Sequence, residues 1–243
     1  MNIEIKKDYN ELSEFTASEI KKTIDEKPSC VLGLATGSTP IGLYKELVKL
    51  HKEGKVDFSK ITTFNLDEYK GLDGNHNQSY RYFMNDNLFN HINIDKNNTF
   101  VPNGLAEDME VECKRYEELM KEKGEIDIQV LGIGVNGHIG FNEPNKHLYI
   151  GTHIEDLTEE TISSNLRFFS SREEMPTQAI TMGIGNIMRA KRIILLISGK
   201  NKANIVKKLF SGKITTELPA SILQIHNNCT VVLDEEAASL LNR

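Results

Sequence analysis

Asn136, His138 and Glu143 fall close together in the glycine-rich segment Gly132–Pro144, GIGVNGHIGFNEP. A histidine beside a carboxylate moves protons around neutral pH, and Glu143 could orient His138 and favour its charged form. The plainer reading of the same residues is a structural histidine satisfied within a polar loop. Gly132, Gly134 and Gly137 also match G-x-G-x-x-G. A dinucleotide fingerprint needs a helix that begins inside the motif. Gly140 and Pro144 interrupt any such helix, so the glycines are read as freeing a loop that gathers the three polar side chains.

Two other clusters follow apolar runs. Asp67-Glu68-Tyr69 closes the run Ile61–Leu66. A carboxylate held there, partly out of water, could be the base for a carbon acid; otherwise the cluster is an exposed acidic turn. Thr36-Gly37-Ser38-Thr39-Pro40 follows the run Cys30–Ala35. Gly37 lets the backbone approach a ligand, Thr39 is the expected N-cap and Pro40 the expected first helical residue. Free N–H groups there, with the Ser38 and Thr39 hydroxyls, would suit a phosphate. An ordinary capped helix start would look the same. It is not a Walker loop, because the Gly-Lys-Ser/Thr ending is absent.

The elements that must position these residues alternate. Strands are expected at 2–6, 30–35, 61–66, 126–133, near 179–182, at 192–198 and at 230–234. Helices are expected from Asp8 to about Glu26, over 41–52, 79–89, 106–123 and 201–210, with a short one closing the chain. This alternation implies an open, mostly parallel, Rossmann-like α/β sheet covered by helices on both faces, in a single domain over 1–243. Ligands of such sheets bind beyond the carboxyl ends of the strands, where all three clusters lie.

A chain of 243 residues can bury a sizeable core, and 39% apolar with 26% charged residues is ordinary for a globular protein. Net charge is −6 with the two signs interspersed, which argues against nucleic-acid and membrane partners. The start of the chain does not read as a signal peptide, and no apolar run is long enough to span a bilayer. Cys30, Cys113 and Cys229 are odd in number and far apart, so neither a disulfide framework nor a zinc site is expected. The expected compartment is the cytoplasm, with Cys30 and Cys229 in the core.

Taken together, LATGSTPIGLYKEL (34–47), FNLDEYKGL (64–72), HNQSYRYFM (76–84), LGIGVNGHIGFNEP (131–144) and SNLRFF (164–169) resemble the glucosamine-6-phosphate deaminase family over essentially the whole chain. The resemblance implies roles. Asp67 corresponds to the base that moves a proton from C2 to C1. His138, supported by Glu143, corresponds to the group that opens the sugar ring. Asn136 stands where other members carry Asp, so it can only orient its neighbours through hydrogen bonds. Arg167 and Lys202 correspond to the phosphate-binding cations, joined by Gly37, Ser38 and Thr39. The implied substrate is glucosamine 6-phosphate, the implied products fructose 6-phosphate and ammonia, and no metal or organic cofactor is implied. Residues 158–175 correspond to a mobile lid carrying Arg167.

The chain also departs from part of the family. Some members are hexamers activated by N-acetylglucosamine 6-phosphate through a serine, an arginine and a lysine. Lys146, His153 and Glu155 stand at those positions, and the sequence stops at Arg243, before the tail that carries an allosteric tyrosine. Hyperbolic kinetics without that activation are expected, in a monomer or small homo-oligomer. Two other functions compete with this one. A 6-phosphogluconolactonase shares the broad fold and a Gly-His pair, but Phe141–Pro144 and Asp67-Glu68-Tyr69 favour the deaminase. A sugar-phosphate-sensing module of a transcription regulator would need a DNA-binding domain, and the chain starts directly into its first strand.

Overall fold

The computed structural model describes residues 1–241. In chain order its elements are β1 (Asn2–Lys6), α1 (Tyr9–Glu26), β2 (Val31–Leu34), α2 (Ile41–Lys52), β3 (Thr62–Asn65) and β4 (Asp67–Tyr69). There follow α3 (Tyr80–Asn87), β5 (Thr99–Phe100), α4 (Met109–Lys123), β6 (Ile128–Leu131), β7 (His153–Asp156) and α5 (Glu159–Asn165). The chain continues through β8 (Gln178–Thr181), α6 (Ile184–Met188), β9 (Ile193–Ile197), α7 (Ala203–Leu209) and β10 (Cys229–Asp234).

Seven strands form one parallel sheet in the order β1-β10-β9-β6-β2-β3-β5. Every residue of β9 is buried, so helices must cover both faces of the sheet. On one face Phe64 of β3 meets Tyr116 of α4 edge-on, with ring centroids 5.7 Å apart. The strand order reverses between β2 and β6. From β2 the chain builds outward through β3 and β5, and from β6 through β9 and β10. The loops after β2 and β6 therefore flank the crevice where such folds bind ligands.

Helix boundaries follow their caps. Asp8 accepts hydrogen bonds from Asn10 N and Glu11 N at 2.9 and 3.0 Å and starts α1. Leu12, Ala17, Ile20 and Ile24 then recur on its buried side. The helix expected from residue 106 begins at Met109, because Asp108 supplies the cap.

Three expectations need correction. Pro40, not Thr39, is the N-cap of α2, without a side-chain cap bond. Tyr9 explains the shift: its hydroxyl donates to Thr39 O at 2.9 Å and accepts from Gly42 N at 2.7 Å, doing the cap's work from outside. The strand near 179–182 does not join the main sheet. It is β8, the centre of a second, antiparallel sheet in the order β4-β8-β7, with Asp67 opposite Thr181. The closing segment after β10 is a run of turns rather than a helix, with Asp234 Oδ1 accepting from Ala237 N at 2.7 Å.

Candidate active site

A cavity of about 400 Å³ opens at the reversal point between β2 and β6. Its wall includes Gly37, Ser38, Thr39, Asp67, Asn136, His138, Arg167 and Lys202. The loops after β2, β3, β6 and β9, with the segment between β7 and β8 that carries Arg167, thus bring together every sequence-identified site residue except one. Glu143 lies behind His138 rather than on the wall, with only 1% of its side chain exposed.

The loop after β6 carries the first part of the site. No helix begins within its glycines, as the sequence indicates. Gly134 is required for a different reason: a Cβ there would lie 2.3 Å from Cε1 of His138, so the imidazole packs directly on the glycine backbone. Gly140 has φ +58°, and its backbone passes close to Thr181 Oγ1 and Asp67 Oδ2. His138 Nδ1 faces Glu143 Oε2 at 3.4 Å, a long contact that needs little to tighten. Asn136 Nδ2 donates to the same Glu143 oxygen at 2.8 Å, while Asn136 Oδ1 accepts from His138 N at 3.2 Å. Thr161 Oγ1 donates to Glu143 Oε1 at 2.5 Å. Burial works to raise the Glu143 carboxyl, but His138, Thr161 and Asn136 outweigh it and hold it below its ordinary value. Glu143 is therefore a fixed anion behind the imidazole.

Asp67 is the first residue of β4, where the chain leaves the parallel sheet for the antiparallel one. Leu66 makes the crossing, its N–H donating to Leu34 O at 3.2 Å and its carbonyl accepting from Met182 N at 2.7 Å. Burial and the neighbouring Glu68 charge push the Asp67 carboxyl well above its usual range. Glu68, by contrast, is committed to structure. Its oxygens accept from Tyr69 N at 2.8 Å, Tyr80 N at 2.9 Å and Arg81 N at 3.0 Å, which fastens the start of α3. Of the two carboxylates, only Asp67 faces the cavity.

The far end of the cavity gathers positive charge. Lys202 follows a turn held by Asp234, which accepts from Gly199 N at 2.9 Å and Ser198 Oγ at 2.5 Å. Its ammonium donates to Ile133 O at 2.7 Å. Burial, then the Arg167 charge, hold that ammonium below its ordinary value. Neither Arg167 nor Lys202 has a carboxylate partner among the described residues, so an anion placed there would satisfy both. Gly37, with φ +91°, turns the loop that adds Ser38 and Thr39 beside them. No group of three or more His, Cys, Asp or Glu side chains among the described residues is arranged to hold a metal ion.

Residues of the segment 158–175 line this cavity, and the segment has more structure than its polar sequence conveys. Thr158 caps α5, and Arg167 lies in a single 3-10 turn just beyond it, its guanidinium 4.7 Å from the Phe168 ring. Underneath is a small apolar core of Tyr69, Phe141, Leu157, Ile162, Met175 and Ala179. Thr161, Asn165 and Asn201, none of which carries an assigned role in the sequence, also line the cavity. Helical spacing puts Thr161 and Asn165 on the same side of α5, a signal that could have drawn attention to both.

The parallel order, the reversal-point cavity and the His-Glu, Asp and paired-cation groups define a class of sugar-phosphate enzymes. The chain belongs to the family of glucosamine-6-phosphate isomerases and 6-phosphogluconolactonases, whose pattern matches residues 6–232. Glucosamine-6-phosphate deaminase of Clostridium tetani is 61% identical over 241 residues, covering 99% of this chain and all of that protein. That of Clostridium perfringens is 57% identical over the same length. A solved monomeric glucosamine-6-phosphate deaminase superposes with a TM-score of 0.96 at 50% identity, covering 99% of this chain and 100% of the other. The 6-phosphogluconolactonase of Trypanosoma brucei, at 20% identity and TM-score 0.74, shares the fold.

Proposed function

We propose that this chain converts glucosamine 6-phosphate into fructose 6-phosphate and ammonia. The observation that carries the reading is one cavity holding a buried carboxylate, a carboxylate-backed imidazole and an unpaired pair of cations. The phosphate fits Arg167 and Lys202, with Gly37, Ser38 and Thr39 completing its cradle. Glu143 faces Nδ1 of His138 at 3.4 Å, which leaves Nε2 to exchange a proton with the ring oxygen and hydroxyl as the pyranose opens.

In the open chain the C2 proton lies next to the aldehyde carbonyl and is acidic. Asp67 removes it, giving an enolamine, and returns it to C1. The resulting C2 imine takes up water and releases ammonia, leaving the ketose phosphate. A base in a dry site is strong, and the positively charged C2 amine of the substrate would favour its ionised form. Asn136 takes no proton; it orients Glu143 and the His138 backbone.

The reading extends to a monomer or small homo-oligomer working in the cytoplasm on one small-molecule substrate. In support, all three cysteines are free and buried, and no helix among the described residues is long and apolar enough to cross a membrane. A coupled assay for ammonia and fructose 6-phosphate tests the proposal on wild type and Asp67→Asn. The expected loss in kcat is about 10³-fold, within the range of general acid–base catalysis, with KM little changed. Undiminished activity in the variant would remove the base, and lactone hydrolysis in place of ammonia release would remove the reaction.

A further inference from the structure

The two oxygens of Glu143 are held by different parts of the chain. Oε2 belongs to its own loop, with Asn136 Nδ2 at 2.8 Å and His138 Nδ1 at 3.4 Å. Oε1 is held from outside the loop, by Thr161 Oγ1 of α5 at 2.5 Å. Thr161 is itself buried, 2% exposed, so this contact is not a chance meeting of surface groups. On the same short helix Asn165 Nδ2 donates to the Tyr69 hydroxyl at 3.2 Å, on the strand that carries Asp67. Arg167, which like Lys202 has no carboxylate partner among the described residues, comes two residues after α5 ends.

We propose that Thr161 is a positioning residue: through its hydrogen bond to Glu143, seating of the 158–175 segment completes the ring-opening pair. The inference rests on the deaminase reading and adds a coupling to it. A carboxylate gripped at both oxygens cannot turn about its terminal bond. Gripped at Oε2 alone it can, and the 3.4 Å contact to His138 is the first to be lost. The side chains facing Glu143 are His138, the one titratable group among them, and the neutral donors Asn136 and Thr161. Asn136 reaches Oε2 alone, so the grip on Oε1 comes from α5. Substrate phosphate on Arg167 favours the seated segment, and Thr161 passes that state to the opposite end of the sugar.

The test compares Thr161→Val, close in shape but without the hydroxyl, with Thr161→Ser, which keeps it. Ammonia release gives kcat and KM, and competition by open-chain 2-amino-2-deoxyglucitol 6-phosphate reports binding that needs no ring opening. Loss of a donor to a charged group should lower kcat of the Val variant about 10- to 100-fold. KM and the inhibitor constant should stay within about twofold, and the Ser variant should keep most of kcat. The acid limb of the kcat profile should move to higher pH in the Val variant, because Glu143 then protonates more easily. Thr161→Ala repeats the measurement without added bulk should the Val variant fold poorly.

Wild-type kcat in the hydroxyl-less variants would overturn the proposal. So would an equal loss in the Ser variant, a parallel loss of inhibitor binding, or an unmoved acid limb. A wild type that releases no ammonia would instead overturn the deaminase reading, so the two failures are distinguishable.

Discussion

The imidazole of His138 occupies the space a side chain on Gly134 would need, with Cε1 2.3 Å from the position of the missing Cβ. Two glycine-loop residues four apart are thus locked against each other, and the ring is aimed by backbone as much as by Glu143. Gly134→Ala must push the ring aside. A displacement of about 1 Å in a catalytic group costs on the order of 10²-fold, so kcat should fall by about that factor. Stability should change little, because the ring is partly exposed and can give way. Measuring kcat alongside the thermal midpoint decides it, and full activity would mean that the ring's position is unimportant.

Arg167 and Lys202 share no carboxylate, and burial, then the Arg167 charge, weaken the hold of Lys202 on its proton until an anion arrives. Arg167→Ala should raise KM about 10- to 100-fold, the worth of a hydrogen bond to a charged group. It should also abolish substrate-dependent protection of residues 158–175 from proteolysis. Protection that persists in the variant would separate phosphate binding from closure of the segment.

Glu68 brings a pH dependence of stability. Burial pushes its carboxyl from the ordinary 4.5 up to about 7, against the pull of three backbone donors. A group raised in the fold favours the folded state while it is protonated. Its contribution is full below about pH 4.5, is lost as pH rises through about 7, and amounts to about 3 kcal/mol. Asp67 acts in the same direction. The unfolding free energy should therefore fall across that window, and Glu68→Gln, which cannot ionise, should flatten the fall. Denaturant titrations at pH 5 and pH 7.5 are sufficient, an identical slope in both proteins being the adverse result.

His153 and Glu155, at two of the positions where regulated relatives carry cations, face each other across 3.2 Å, and the Tyr149 ring lies tilted against the histidine with centroids 4.4 Å apart. That cluster is self-satisfied and includes a carboxylate that would repel a phosphate. Rate against glucosamine 6-phosphate should be hyperbolic and indifferent to N-acetylglucosamine 6-phosphate. A sigmoidal curve straightened by that compound would contradict this.

The sequence exposes the parts of the fold that rest on local chemistry. Short, β-branched apolar runs such as Ile193–Ile197 read as buried strands, and Gly140 and Pro144 interrupt a helix where one would signal a nucleotide. What stays hidden depends on distant partners. Asp67-Glu68-Tyr69 is too short and polar to declare itself a strand, and becomes one by pairing with β8. Pro40 caps α2 only because Tyr9 reaches the loop from α1. Asp67, His138 and Glu143 were legible through motifs. Thr161 was not, since a lone threonine in a polar helix gives no sign that it meets a carboxylate 18 positions away.

The cavity-lining segment leaves β7 and returns on β8, and these two strands are paired neighbours, with Asp156 opposite Gln178 and Leu157 N bonded to Thr177 O at 2.9 Å. Departure and return are therefore a single anchor point, and the residues between them form an excursion whose length the sheet does not register. Loop-closure cost grows only slowly with length, so that excursion can be rebuilt over evolution without disturbing the strands below. Thr161, Asn165 and Arg167 thus reach the cavity on a stretch of chain that hangs from one point of the sheet.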